Sequence, residues 1–347
     1  MRDQTADMPW QPGHRPARAA PEASRKGRHH EPRHFAALDL GTNNCRLLIA
    51  RPQANGFAVV DAFSRIVRLG EGLATTGQLS EAAIDRTIEA LKICADKLRR
   101  RDVALARSVA TEACRRASNG HILIERAYRE TGIALDVISA EEEARLAVLG
   151  CHILIEPGDD PALVFDIGGG STELVLVDTR ATVPTVLDWH SAPWGVVSLT
   201  EHIGPTATDR ERGQAYLRMR EIVSQSFAPF ALRLPKSLAN PRLLGTSGTI
   251  TTLASVHLGL ERYDRQAVDG LIVPADAMRG ICADLAGKSI ADRALVPCIG
   301  NERADLVVAG CAILETIMDL WPAVRVGVAD RGIREGILRR LISGAGK

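Results

Sequence analysis

The sequence predicts an α/β protein made of two similar halves that face each other across a central cleft. Three observations predict it: strands alternate with helices, one hairpin motif recurs at a fixed offset, and glycine- and hydroxyl-rich turns follow directly after strands. The 347 residues, 46% hydrophobic and 24% charged, are enough for two domains.

The first element in order is a tail. Residues 1–33 carry five prolines and seven Lys/Arg against four Asp/Glu, with almost no large apolar side chain. Such a segment cannot bury enough surface to offset its ordering entropy, so a disordered basic extension is expected. A solvated run is the plainer reading than a contact with RNA or a long polyanion. The rest holds 36 Lys/Arg against 38 Asp/Glu, and the whole chain carries a formal +1. No global field therefore attracts nucleic acid, and an anionic ligand has to be held by a local patch. No run approaches eighteen apolar residues, and the opening lacks a secretory apolar stretch, so neither a membrane span nor export is expected. The seven cysteines stand singly without a C-x-x-C pair, which argues against a zinc site or disulfide framework and for a reducing cytoplasm.

From Phe35 to Ala50 the text reads strand, tight polar turn, strand. Ser80 starts a helix with apolar positions 84, 88, 91, 95 and 98. Val103–Val109 reads as a strand, His121–Glu130 as a short helix, Ala134–Ile138 as a strand and Glu141–Ile155 as a further helix. Leu163–Val177 repeats the opening hairpin: Asp39 aligns with Asp166, Gly41 with Gly168 and Arg46 with Glu173, at an offset of 127 residues. Leu243–Leu253 and Val326–Gly336 each read strand, turn, helix.

Two such hairpins facing each other would place amide donors on both walls of the cleft and carboxylates at its floor. That combination suits a phosphate chain with Mg²⁺: N–H groups for phosphate oxygens and hard oxygen ligands for the metal. A single D-x-G hairpin is also an ordinary turn; the in-register pair, one with three successive glycines, favours function. Thr111, Arg115 and Arg116 follow a strand, where parallel sheets place ligand contacts, though a solvated helix start explains them too. Gly245, Thr246 and Ser247 offer amides and hydroxyls that face a phosphate or simply cap a helix. The run Lys97–Arg101 reads as helix C-terminal cations. Cys45 and Cys114 read as small buried side chains. Ser139 and Glu142 have capping-box spacing and Glu141 suits the helix dipole. Glu143, about 100° further round, has no such local reason: it is either a surface acid or a general base beside the cleft. G-x-S-x-G and Walker-type signatures are absent from the sequence.

Six motifs in this order resemble the exopolyphosphatase / guanosine pentaphosphate phosphatase family from about Phe35 to Leu341. They are Asp39-Leu-Gly-Thr-Asn-Asn-Cys-Arg46, Ala110-Thr-Glu-Ala-Cys-Arg115, Ile138-Ser-Ala-Glu-Glu-Glu-Ala-Arg145, Asp166-Ile-Gly-Gly-Gly-Ser-Thr-Glu173, Gly245-Thr-Ser-Gly-Thr-Ile-Thr-Thr252 and Asp330-Arg-Gly-Ile-Arg-Glu-Gly336. The resemblance implies two ribonuclease-H-like domains of the actin-like, sugar-kinase superfamily, over 34–157 and 158–347, with the last helix packing back on the first. It places the catalytic base at Glu143 and Mg²⁺, with Mn²⁺ as a substitute, at Asp166 and Glu173 with Asp39 across the cleft. It places phosphate contacts at Gly41, Thr42, Asn43, Asn44, Gly168, Gly169, Gly170 and Ser171, and at Arg46, Arg115 and Arg303. The family's more usual D-x-G-S-x-S is altered here, since Thr42 keeps a hydroxyl and Asn44 does not. The chain resembles the short, two-domain form without a C-terminal helical domain. The implied activity is Mg²⁺-dependent release of orthophosphate from the end of inorganic polyphosphate, in a cytoplasmic homodimer. Alternatives are hydrolysis of the 5′ phosphate of guanosine pentaphosphate, an actin-like ATPase or kinase, and an alarmone sensor without turnover.

Overall fold

The computed structural model describes residues 34–345 apart from 55, 156–157, 159 and 235–240. The tail expected over 1–33 lies outside the described residues.

The first half runs β1 (His34–Leu40), β2 (Asn44–Gln53), β3 (Gly56–Ile66), α1 (Leu73–Thr76), α2 (Glu81–Arg100), β4 (Val103–Ala110), α3 (Glu112–Arg116), α4 (Gly120–Thr131), β5 (Leu135–Val137) and α5 (Ala140–Cys151). The second runs β6 (Ala162–Ile167), β7 (Thr172–Asp178), β8 (Thr185–Ala192), α6 (Val196–Ile203), α7 (Asp209–Arg233), β9 (Arg242–Thr246), α8 (Ser247–His257), α9 (Arg265–Val268), β10 (Ile272–Pro274), α10 (Ala275–Gly287), α11 (Ile290–Ala294), α12 (Val307–Leu320), β11 (Arg325–Ala329) and α13 (Ile333–Ala345).

The strands form two sheets, ordered β3-β2-β1-β4-β5 and β10-β11-β9-β6-β7-β8. In both, three antiparallel strands are followed by two parallel ones, and the second sheet adds antiparallel β10 at its edge. This shared order is the ribonuclease-H-like plan, used twice. The repeat read from the sequence survives in the register: Asp39 pairs with Arg46 as Asp166 pairs with Glu173.

Each sheet is covered on its outer face. On the first, α2 buries Ile84, Ile88, Leu91, Cys94 and Ala95, the expected helical stripe, and α4 adds Leu123 and Ala127. On the second, α7, α8, α10 and α12 form the largest core, around Phe165, Phe227, Phe230 and Trp321. The inner faces share one helix. Leu146 and Ala147 of α5 pack with Phe35, Ala37 and Val109 of the first sheet, while Ala144, Val148 and Cys151 pack with Val164, Val175 and Leu244 of the second. α13 joins the first of these clusters through Ile333, Ile337 and Leu338.

Some local expectations need correction. The helix read as Glu141–Ile155 ends at Cys151 and continues as a 3₁₀ turn over His152–Leu154. Ser139 does cap it, accepting from the Glu142 amide at 3.1 Å, but the Glu142 side chain goes to Arg107 (3.0 Å) and Arg340 (2.6 Å) rather than back to the cap. Lys97 and Arg101 bind Asp61 of β3 instead of only facing a helix end. Cys45 and Cys114 are free and buried, as expected, and the neighbouring Cys94 thiol together with burial pushes Cys45 up. Among the described residues no helix is long and apolar enough to cross a membrane.

Candidate active site

Both hairpins close in the same way. The Gly41 amide donates to the Asn44 carbonyl at 2.9 Å, and the Gly168 amide to the Ser171 carbonyl at 3.0 Å. The second loop is anchored from behind by α6, whose Val196 and Val197 amides donate to the Gly168 and Gly169 carbonyls at 3.0 and 2.8 Å. The tips of the two loops touch. A Cβ on Gly170 would lie 2.6 Å from Thr42 Oγ1, so a side chain there would push the walls apart. Thr42 Oγ1, Asn43 Oδ1 and Asp39 Oδ1 are buried without a hydrogen-bond partner among the described residues. Buried oxygens left in that state are uncommon and mark a place where a ligand, water or ion belongs.

One cavity gathers most of the predicted residues. Asp39, Gly41, Thr42, Asn43, Asn44, Arg46, Thr111, Glu143, Asp166, Gly168, Gly169, Gly170, Ser171, Glu173, Thr246, Ser247 and Arg303 all line it. Its floor carries Asp166 and Glu173 from adjacent strands. Burial pushes Asp166 up to about 6, against the pull of Arg46, and burial with repulsion from Asp166 pushes Glu173 up to about 7. Ser191 of β8 donates to Glu173 Oε1 at 2.9 Å. Asp39 is raised by burial as well, with Arg46 and Arg334 opposing.

Glu143 sits in the first turn of α5, 7% exposed. The helix lies between the sheets, so its N-terminus delivers this side chain to the cleft and not to solvent. Burial first, then the Glu173 charge, hold its carboxyl well above the ordinary range, while Arg115 pulls the other way. Arg115 Nη1 donates to Glu143 Oε2 at 2.9 Å.

Two predicted contacts fall outside the lining. Gly245 is pressed into the sheet: a Cβ there would meet the Phe165 ring and Ile250 at 2.6 Å, so its glycine serves packing. Arg115 stands behind Glu143, its donors spent on Glu112, Glu143 and the Ile138 carbonyl. Thr246 does line the cavity, but its hydroxyl donates to the Arg331 carbonyl at 2.6 Å. Ser247 adopts φ 80°, a left-handed conformation rare outside glycine, at the mouth of α8.

Five charged lining residues were missed: Glu112, Asp330, Arg331, Arg334 and Glu335. The two arginines belong to a motif that signalled the family without suggesting roles; its strand–turn–helix pattern was the available signal. Arg46, Arg303 and Arg334 form no ion pair with any described residue within 4 Å, which leaves three guanidinium groups for an anion. Burial and the nearby Arg46 lower the proton affinity of Arg303, and its Nη1 donates to Thr252 Oγ1 at 2.6 Å.

Among the described residues no three His, Cys, Asp or Glu side chains converge tightly enough to cage a metal ion. Mg²⁺ does not need a cage, since it is commonly held by one or two carboxylates with water and substrate phosphate oxygens. The all-oxygen donor set of Asp166 and Glu173, with the unpartnered Asp39 Oδ1 in the same cavity, fits such an ion.

The chain is 33% identical over 292 residues to "Exopolyphosphatase 2" of Mycobacterium tuberculosis, covering 81% of this chain and 89% of that one. It is 27% identical over 313 residues to "Guanosine-5′-triphosphate,3′-diphosphate pyrophosphatase" of Aeromonas hydrophila, covering 89% of this chain and 59% of that one. The crystal structure of the Aquifex aeolicus Ppx/GppA family member superposes with a TM-score of 0.73 at 28% identity, covering 91% of this chain and all of that one. Residues 48–344 match the Ppx/GppA phosphatase family, and the chain belongs to it.

Proposed function

We propose that the chain hydrolyses the terminal phosphoanhydride of inorganic polyphosphate, releasing orthophosphate one unit at a time. The observation that carries this reading is Glu143: a buried carboxyl of raised proton affinity in one cavity with two phosphate-type loops and three arginines that form no ion pair with a described residue. A buried carboxylate whose proton affinity is raised above the ordinary range suits general base work better than an exposed one.

The loops and the arginines hold the polyanion, with Arg46 and Arg303 offsetting charge on its phosphoryl oxygens. Glu143 accepts a proton from water, and the water oxygen bonds to the terminal phosphorus. The bridging P–O bond breaks, and the shortened chain leaves as an anion. Mg²⁺ held by Asp166 and Glu173, with Asp39 opposite, would supply charge neutralisation to the phosphates. Positioning and electrostatics of this sort account for most of phosphoryl-transfer catalysis.

Guanosine pentaphosphate is the second reading, favoured by the relative named for that activity. Both substrates end in the same bond, so the cleft does not separate them. The test is phosphate release, side by side, on long polyphosphate, guanosine pentaphosphate and ATP with Mg²⁺. The highest kcat/KM on polyphosphate is expected. Preference for guanosine pentaphosphate selects the second reading, ADP formation as the dominant reaction revives a kinase-type ATPase, and binding without release makes the chain a sensor.

A further inference from the structure

Arg115 has five N–H donors in a fixed plane. Its Nε and Nη2 edge rests on a single oxygen, Glu112 Oε2, at 3.2 and 2.6 Å. Its Nη1 reaches the Ile138 carbonyl at 2.8 Å and Glu143 Oε2 at 2.9 Å. Glu143 therefore receives one hydrogen bond, on one oxygen, from a residue that would otherwise prefer to fork onto both. Glu112 is suited to enforce this. It begins α3 directly after β4, three residues before Arg115, and only 14% of its side chain is exposed. It also stands against the second phosphate loop, since a Cβ on Gly170 would lie 3.1 Å from Glu112 Cγ.

We propose that Glu112 is a positioning residue: it holds one edge of Arg115 so that Glu143 is gripped through Oε2 alone and keeps Oε1 for the attacking water. This rests on the reading of Glu143 as the base. Without the Glu112 charge, the freed edge of Arg115 swings onto Glu143 and occupies both of its oxygens. The charged groups that face Glu143 are Arg115 from α3, Glu173 from β7 and Asp39 from β1. A second grip by Arg115 adds to the one attraction among them, so Glu143 becomes a weaker base.

The experiment compares Glu112→Gln, Glu143→Gln and the double variant in phosphate release from polyphosphate with Mg²⁺. For Glu112→Gln, kcat is expected to fall on the order of tenfold, with KM within about threefold, and the acid limb of the kcat profile to move to lower pH. In the Glu143→Gln background the same change should cost less than about twofold more, because it acts through the group already removed. An unchanged kcat and acid limb, or a full additional loss in the double variant, overturns the proposal. Glu143→Gln alone tests the base: if that variant is active, the base reading fails, whatever Glu112 does. Should Glu112→Gln lower the melting temperature markedly, Glu112→Asp gives the same comparison with the charge kept. Its kcat should then lie closer to the parent than that of Glu112→Gln; equal impairment overturns the proposal.

Discussion

The carbonyl oxygen of Gly332 occupies the space a side chain on Gly150 would need, with an ideal Cβ only 1.9 Å away. The contact is reciprocated one turn along, where a Cβ on Gly336 would lie 2.1 Å from the Leu146 carbonyl. Backbone meets backbone between α5 and α13, and nothing flexible can give way. Since α5 also carries Glu143, the packing of these two helices sets where the base stands.

Gly150→Ala or Gly336→Ala should therefore cost about 1–3 kcal/mol by overpacking and lower kcat as α5 is displaced. Gly213, exposed in α7 with nothing within 4 Å of its Cβ position, is the control. Alanine there should stabilise by roughly 0.5–1 kcal/mol through helix propensity. Denaturant melts of the three variants check this, and equal effects would remove the close approach as the cause.

Glu143→Gln should abolish turnover while leaving polyphosphate bound. It keeps the shape and the Oε2 contact to Arg115 but removes the proton acceptor, for which losses of roughly 10²- to 10⁴-fold are typical. Binding measured by filter retention or calorimetry should stay within a few-fold. A variant that keeps a tenth or more of the parent kcat excludes Glu143 as the base.

The hairpins and their aspartates were legible because a 127-residue repeat fixes both fold and register, as Asp39–Arg46 and Asp166–Glu173 show. The depth of Glu143 was not. Its neighbours Glu141 and Glu142 look alike in the text, yet one pairs with exposed Arg145 and the other with Arg107 and Arg340. Only the placement of α5 between two sheets distinguishes them, and that depends on packing partners far away in sequence. The surroundings of Arg115 were hidden for a related reason: arginine suits phosphate by type, and only the fold shows it paired with Glu112 and Glu143 outside the cavity lining. The stretches 178–242 and 254–325 carry β8, α6, α7, α10 and α12, and apart from Arg303, which entered through the family resemblance, they drew no reading because they hold no chemistry-bearing motif.

Arg68 and Asp305 should govern substrate affinity more than stability. The loop after β3 braces the first phosphate loop, with Val67 and Gly70 amides on the Asn43 and Thr42 carbonyls at 2.9 and 2.8 Å. From the same loop Arg68 Nη1 meets Asp305 Oδ2 at 3.1 Å, two residues from Arg303, and the Gly72 amide meets Glu201 Oε1 at 2.8 Å. These contacts join the two halves beside the cleft. A half-exposed pair is worth about 1 kcal/mol or less, which corresponds to at most roughly fivefold in affinity. Arg68→Ala should raise KM by that order with little change in melting temperature. Restoration of KM in the exchanged pair, Arg68→Asp with Asp305→Arg, would identify the charge contact as the cause; a KM that stays high would mean that Arg68 acts otherwise.

Asp166 and Glu173 should make the protein dependent on a divalent cation in a way that shows without turnover. They are direct cross-strand partners, Glu173 buried and Asp166 partly so, and like charges placed so oppose each other. Burial removes the water that would screen them, which is why both carboxyls are raised. Arg46 acts on Asp166 and Arg115 on Glu173, but neither attraction offsets burial, so both carboxyls stay raised. Adding Mg²⁺ should raise the melting temperature of the parent and restore activity lost to EDTA. Asp166→Asn removes one of the opposed charges, so in EDTA it should melt at or above the parent while gaining less from Mg²⁺. It should also need more metal for half-maximal activity, as should Glu173→Gln. If both variants keep the parent's thermal response to Mg²⁺ and its metal requirement, these carboxylates do not hold the ion, and the orphaned Asp39 oxygen becomes the place to look.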